Sequence, residues 1–128
     1  MAIQLSVAVR NGRLDAIETV VGVSAVLKIF TGAQPANCGA ADSGTQLVNM
    51  ALQSDWAAAA ASGAKAKSGT WQDASADAAG TAAHFRLYAS DGTTCHLQGS
   101  VTATGGGGDL TLDNVVIAAA QQVTITGF

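Results

Sequence analysis

The sequence predicts a mainly β protein, an antiparallel β-sandwich or jelly-roll-like barrel with a short N-terminal α-helix. Three observations predict it. Short apolar or alternating segments recur between Gly-rich turns along residues 23–128, the pattern of strands that each bury a face. One stretch near the start has a helical period instead, with a stop signal at its end. Between the two best strand candidates stands Asp91-Gly92, the strongest hairpin signal in the chain. A chain of 128 residues is large enough for one core, so it reads as one domain, with a helical arm over 1–22 and a β-sandwich over 23–128.

The elements follow in order. Ser6 is placed as an N-cap, and Val7, Arg10, Leu14, Ile17 and Val21 fall on one helical face before Gly22 ends it. Gly12 weakens such a helix by up to about 1 kcal/mol relative to Ala, so it must dock, on its own sheet or on a neighbouring subunit. After Gly22 the period becomes two. AVLKIF (25–30) and TQLVNMALQ (45–53) are strands, joined by a long turn-rich loop that holds the only proline.

In SDWAAAAASGAKAKSG, Ser54 is placed to cap a short helical turn over 56–61, the alternative being an extended segment lying on a partner. Residues 81–90 and 93–104 pair as the Asp-Gly hairpin. Phe85, Leu87 and Ala89 share one face of it; His84, Arg86 and Tyr88 share the other, which reads as the solvated side of a half-buried sheet. Four glycines, 105–108, lead into DLTLDNVVI (109–117), and QQVTITGF (121–128) ends the chain.

Composition limits the function. Charged residues are 12% of the chain, against about 25% in an average soluble domain, so small neutral side chains must cover much of the surface. That favours a life packed against other subunits, as a homo-oligomer or on a larger partner. Net charge is −3 and the six basic residues are scattered, which argues against direct nucleic-acid binding. No apolar run approaches the roughly 20 residues of a membrane span. The charges of MAIQLSVAVRNGR follow its apolar residues, the reverse of a secretory signal, so synthesis and folding in a cytoplasm are expected.

Tests for chemistry fail one after another. GGGGD opens a strand rather than a helix and lacks a following Lys-Ser or Lys-Thr, so it is no phosphate loop. There is no G-x-S-x-G elbow, only two histidines are present, and Asp73 and Asp77 read as solubilising loop carboxylates. No catalytic, cofactor or metal site is expected. Cys38 and Cys95 are either two free thiols or partners in a disulfide made after release to an oxidising medium; His84 and His96 do not complete a metal set with them. Trp56 and Trp71 are each a core plug or an interface anchor. With 5% aromatics, carbohydrate recognition is a weaker reading.

Taken together, the helix, IFTGAQP (29–35) with its continuation to the 45–53 strand, SGTWQ, HFRLYASDGTTCHLQGSV and the ending LTLDNVVIAAAQQVTITGF resemble a family of small proteins encoded in tailed bacteriophages and prophages. The resemblance covers nearly the whole chain. It implies a virion structural protein, and for some β-rich members a cement protein that clamps neighbouring major capsid protein subunits on the outside of the head. It implies no catalytic residue. Relatives often run a few residues beyond VTITGF, which leaves the last strand shorter or freer here. On this reading the contact surfaces are the helix through Val7, Leu14 and Ile17, the 54–71 segment through Trp56 and Trp71, and the last strand through Val123, Ile125 and Phe128. A tail or head-tail connector component is the alternative within the virion, and a host-glycan-binding module the alternative outside it.

Overall fold

Ser6 takes an extended conformation and its side chain accepts a hydrogen bond from Val9 N, while Gly22 at φ +87° sends its N–H back to Glu18 O. Between those caps runs α1, Val7–Val21, so both end signals act as expected. The computed structural model describes residues 2–128. The strands that follow are β1 (Val26–Phe30), β2 (Gln46–Ala51), β3 (Gln72–Asp73), β4 (Gly80–Thr81), β5 (His84–Tyr88), β6 (Cys95–Ala103), β7 (Leu110–Leu112), β8 (Val116–Ile117) and β9 (Val123–Gly127). Seven of them form a mixed sheet in the order β2-β1-β5-β6-β7-β9-β3 that is nearly closed into a barrel. Its edges are brought together by Asn49 N donating to Asp73 Oδ2 (3.4 Å) and Asp77 N to Leu47 O (2.8 Å). β4 and β8 form a separate short ribbon.

The Asp-Gly hairpin is present, with β5 and β6 antiparallel. Asp91 Oδ1 accepts from Thr93 N and Thr94 N (2.8 and 2.9 Å), and Gly92 takes φ +70°, so the aspartate side chain organises the turn. The barrel interior is filled by the alternate residues of these strands, among them Leu27, Ile29, Phe85, Leu87, Leu110 and Ile125.

The sequence predicts an antiparallel sheet, but the sheet is mixed, because β6 and β7 run parallel, with Val101 beside Leu110 and Ala103 beside Leu112. Parallel neighbours ordinarily need a connection of about a dozen residues or more. Here the loop 104–109 folds back over its own strand, and the glycines make that possible. A methyl group at Gly106 would sit 2.7 Å from Thr102 Cβ, and one at Gly108 would sit 2.9 Å from Thr102 N, while Gly105 and Gly107 take φ +86° and +80°. Two residues therefore supply clearance and two supply left-handed turns. The reversal is held by Gly108 N donating to Thr102 Oγ1 (2.9 Å) and by Asp109 Oδ2 accepting from Ser100 N and Oγ (2.9 Å each). The expected strand 109–117 is also broken in two, since Asn114 Oδ1 accepts Val116 N at 3.0 Å in a side-chain-made turn.

The 54–71 segment is extended rather than helical. Ala57 bridges to Lys67 and Ala61 to Ala64, and Ser62 and Gly63 both take positive φ, +53° and +75°. That is the two-residue turn whose twist suits a hairpin. A run of five alanines is too short to hold a helix alone, and the Ser-Gly pair gives the backbone a hairpin instead.

Two substitutions separate these glycine roles. Gly108→Ala is expected to lower stability by about 1–3 kcal/mol through overpacking against Thr102. Gly12→Ala, in mid-helix with nothing within 4 Å of its added carbon apart from its chain neighbours and the helix's own backbone, is expected to raise it by up to about 1 kcal/mol. Urea midpoints of the two variants against the parent measure both.

Candidate functional site

Two places gather the residues that sequence reasoning singled out. The first is the arm. α1 is tethered by polar contacts to the 57–67 hairpin of its own chain, and its Ile17 and Val21 pack against the core. Asp15 Oδ1 accepts from Ala60 N and from Lys65 Nζ (2.8 Å each), and Asn11 Oδ1 accepts from Gly63 N (2.8 Å). Lys65, with only 6% of its side chain exposed, also reaches Glu18 Oε2 at 2.8 Å. Desolvation alone would lower the pKa of this lysine, but hydrogen bonds to Asp15 and Glu18 outweigh it and hold the ammonium above its usual value. The Lys65 hydrogen bond, then that from Ala60 N, lowers the Asp15 carboxyl in return.

Leu14 and Ile17 are half-buried on the inner side of α1 and line, with Trp56, Phe85, Leu97 and Phe128, an apolar cavity of about 310 Å³. The helix is therefore held by polar tethers along one edge and is loosely filled beneath. Val7 is 46% exposed. The outward side carries Val9 and Val20, the latter 66% exposed, with Ile3 and Val23 more exposed still at either end. Those four were missed as candidates. The signal for Val9 and Val20 was a second stripe, Val9, Arg13, Ala16 and Val20, at the same three-four spacing as the stripe chosen.

Trp56, Trp71, Val123 and Ile125, expected on contact surfaces, are buried in the core of the folded chain. Trp71 lies 6.0 Å from Trp56 and 5.0 Å from Phe128 between ring centroids, and Phe128 meets Phe85 at 6.1 Å. Each indole N–H is satisfied, Trp56 Nε1 by Gly22 O (2.9 Å) and Trp71 Nε1 by Trp56 O (3.1 Å). Large aromatics in a small chain are worth most when fully buried with their polar atom bonded, so these became the plug of the barrel. Phe128 is partly buried against the same cluster.

The second place is the outer face of β5. His84, Arg86 and Tyr88 are buried, not solvated, because the loop 31–45 lies across them as a strap. His84 Nδ1 donates to Gly32 O at 2.9 Å, and the ring stacks on Phe30 with centroids 5.3 Å apart. Arg86 Nη2 donates to the carbonyls of Asn37, Cys38 and Ala40 (3.2, 2.9 and 3.0 Å), and Arg86 Nη1 and Tyr88 OH both bond Asp42 Oδ1. Gln98 Nε2 ties the strap again at Pro35 O (2.7 Å). Desolvation would raise the Asp42 carboxyl, but the hydrogen bonds from Tyr88 and Arg86 prevail and lower it. Burial, then the bond to Asp42, pushes the Tyr88 hydroxyl well up. On this face His84 Nε2, Arg86 Nε and Gln98 Oε1 are buried without a hydrogen-bond partner among the described residues, so the strap's cover leans heavily on the Arg86–Asp42 pair.

Cys38 on the strap and Cys95 on β6 are both half-buried free thiols, and they line one solvent-open cleft of about 440 Å³ with Lys28, Asp42 and Arg86. The structure thus unites the two cysteines. No group of three or more His, Cys, Asp or Glu side chains able to hold a metal ion occurs among the described residues. Comparison of the chain with protein-family models, with curated proteins and with solved structures finds no match.

Asp42→Ala leaves a buried guanidinium without its counter-charge, and is expected to cost about 3 kcal/mol, the low end for breaking a buried pair because Asp42 itself touches water. The urea midpoint reads this loss. Asp15, Asp42, Asp91 and Asp109 all have lowered carboxyl pKa values, Asp91 to about 2 through the Thr94 hydroxyl and the Thr94 and Thr93 amides. Such groups stabilise fully above the unfolded value of about 3.9, and that stabilisation is lost as pH falls through the folded value. The Tm is therefore expected to fall between about pH 4 and pH 2, which a calorimetric pH series checks.

Proposed function

We propose that this chain is a structural protein of a tailed bacteriophage virion, acting as a decoration protein that binds the outer face of the capsid and helps hold the major capsid protein lattice together. The observation that carries the reading is the set of exposed apolar side chains on and beside α1. Ile3, Val9, Val20 and Val23 are 90%, 48%, 66% and 69% exposed in the monomer, on a chain whose charged fraction is only 12%. Side chains of this kind gain about 25 cal/mol for each Å² of apolar surface removed from water, so a partner surface stabilises them. The resemblance of nearly the whole sequence to small tailed-phage proteins supplies the kind of partner. No catalytic role is part of the proposal.

The mechanism follows from repetition. Packaged DNA presses capsomers apart, and many modest contacts repeated over a lattice resist that force through avidity although each alone is weak. The arm, tethered along one edge, presents its free side outward while the plugged barrel behind it stays rigid.

The copy number of the chain in purified virions, set against the major capsid protein by quantitative mass spectrometry, is expected to be of the same order as the capsid protein's. A single ring's worth of copies would move the protein to the tail or head-tail connector, and absence from the particle would overturn the reading. Val9→Asp combined with Val20→Asp is expected to leave the Tm within a few degrees of the parent yet weaken particle binding at least about tenfold, as measured by co-sedimentation with undecorated particles.

A further inference from the structure

Cys38 and Cys95 stand far apart in the chain, yet the fold brings them together at the rim of the strap. Three contacts place them there. The Cys38 carbonyl accepts from Arg86 Nη2 at 2.9 Å. Cys95 is the ladder partner of Tyr88, whose hydroxyl shares Asp42 with Arg86. Both cysteines then open onto the same cleft, where Lys28 donates to Gly92 O at 2.9 Å and stands over the Tyr88 ring. The cleft is open to water, and since Asp42 pairs with Arg86 its lining keeps one uncompensated positive charge, Lys28, which suits a small anionic reagent.

We propose that this thiol pair is a redox modification site: a low-molecular-weight disulfide such as oxidised glutathione converts it to a Cys38–Cys95 disulfide that fastens the 31–45 strap to β6. The chemistry balances by two exchanges. The Cys38 thiolate attacks one sulfur of the small disulfide, making a mixed disulfide and releasing one small thiolate. The Cys95 thiolate then attacks the Cys38 sulfur, which forms the protein disulfide and releases the second small thiolate. The two protein thiols lose two electrons to the small disulfide, and their two protons pass through solvent to the departing thiolates.

The order of attack has a structural cause. Burial, then the neighbouring Cys38 thiol, holds the Cys95 thiol up at about 11, so little of it is ionised, and forming the mixed disulfide removes the Cys38 thiol from among those causes. Cys38 sits on the strap itself, where three carbonyl contacts to Arg86 fix the backbone around it. The consequence is mechanical. In the reduced chain the strap is held by hydrogen bonds and one ion pair, whereas a covalent link removes its freedom to lift from the buried Arg86 and Tyr88 and also restricts the unfolded chain. A cytoplasm keeps such a pair reduced and an extracellular medium oxidises it, so the lock closes after release from the cell.

The test uses the purified, folded full-length chain alone, so its outcome is independent of particle binding. The reduced protein is incubated with oxidised glutathione at about pH 8, where thiolate populations permit exchange, then quenched with acid and alkylated. Intact mass and peptide mapping are expected to show a monomer with both thiols lost, no retained glutathione and a Cys38–Cys95 linked peptide. The Tm is expected to rise by about 5–10 °C and to return on reduction. Cys95→Ser is expected to stop at one glutathione adduct on Cys38 without that rise. Stable glutathione adducts on the parent protein, a disulfide between two chains, or thiols that stay unreacted while folded would each overturn the proposal.

Discussion

A guanidinium taken out of water has to be surrounded by acceptors, and Arg86 sets that requirement at the centre of this molecule. It lies 1% exposed on the outer side of β5, where strand alternation alone would leave it in solvent. Three strap carbonyls and Asp42 meet its donors, so the 31–45 loop is held in one conformation against the sheet. From this follows the burial of His84, Arg86 and Tyr88, which with the core residues Phe85 and Leu87 leaves all five residues of β5 buried. It also follows that Cys38 is carried to Cys95, because the backbone on either side of Cys38 is part of the guanidinium's shell.

The inner face obeys a different constraint, the packing of two tryptophans and a terminal phenylalanine into a barrel of short strands. Trp56 does more than fill volume, since its indole N–H donates to Gly22 O and so joins the end of α1 to the start of the hairpin. Trp71 bonds the carbonyl of Trp56 in turn. The arm is thereby anchored at its C-terminal end by an aromatic and along one edge by Lys65, Asp15 and Asn11. Its other side keeps apolar residues in water. An arrangement with a rigid plugged body and a laterally tethered apolar arm suits a protein that acts by contact, which is why the proposed function places the partner there and not on the barrel.

The polar strap face and the apolar arm face divide the molecule's roles. One consumes its polar groups internally and offers only a thiol pair to the outside; the other satisfies its polar groups along one edge and offers apolar surface. The cavity beneath α1 is lined chiefly by Leu, Ile and aromatic side chains, with Lys65, Gln98 and Asp109 beside them.

The sequence by itself determined what is local. Ser6 and Gly22 bound the helix, Asp91-Gly92 turned the central hairpin, and the twofold period marked β1, β2, β5 and β6, because caps, turns and alternation depend on residues a few positions apart. The tertiary structure alone decided what covers each face. Alternation says that His84, Arg86 and Tyr88 point away from Phe85 and Leu87, but not that a loop will lie over them, since the atoms that bind Arg86 are mostly backbone carbonyls, which every residue carries. The parallel β6–β7 pair and the hairpin in place of an alanine helix escaped the sequence for the same reason, and the choice between core plug and interface anchor for Trp56 and Trp71 was left open by it. Each depends on which distant surface is near enough to exclude water or supply a partner, and that is settled only when the chain closes on itself.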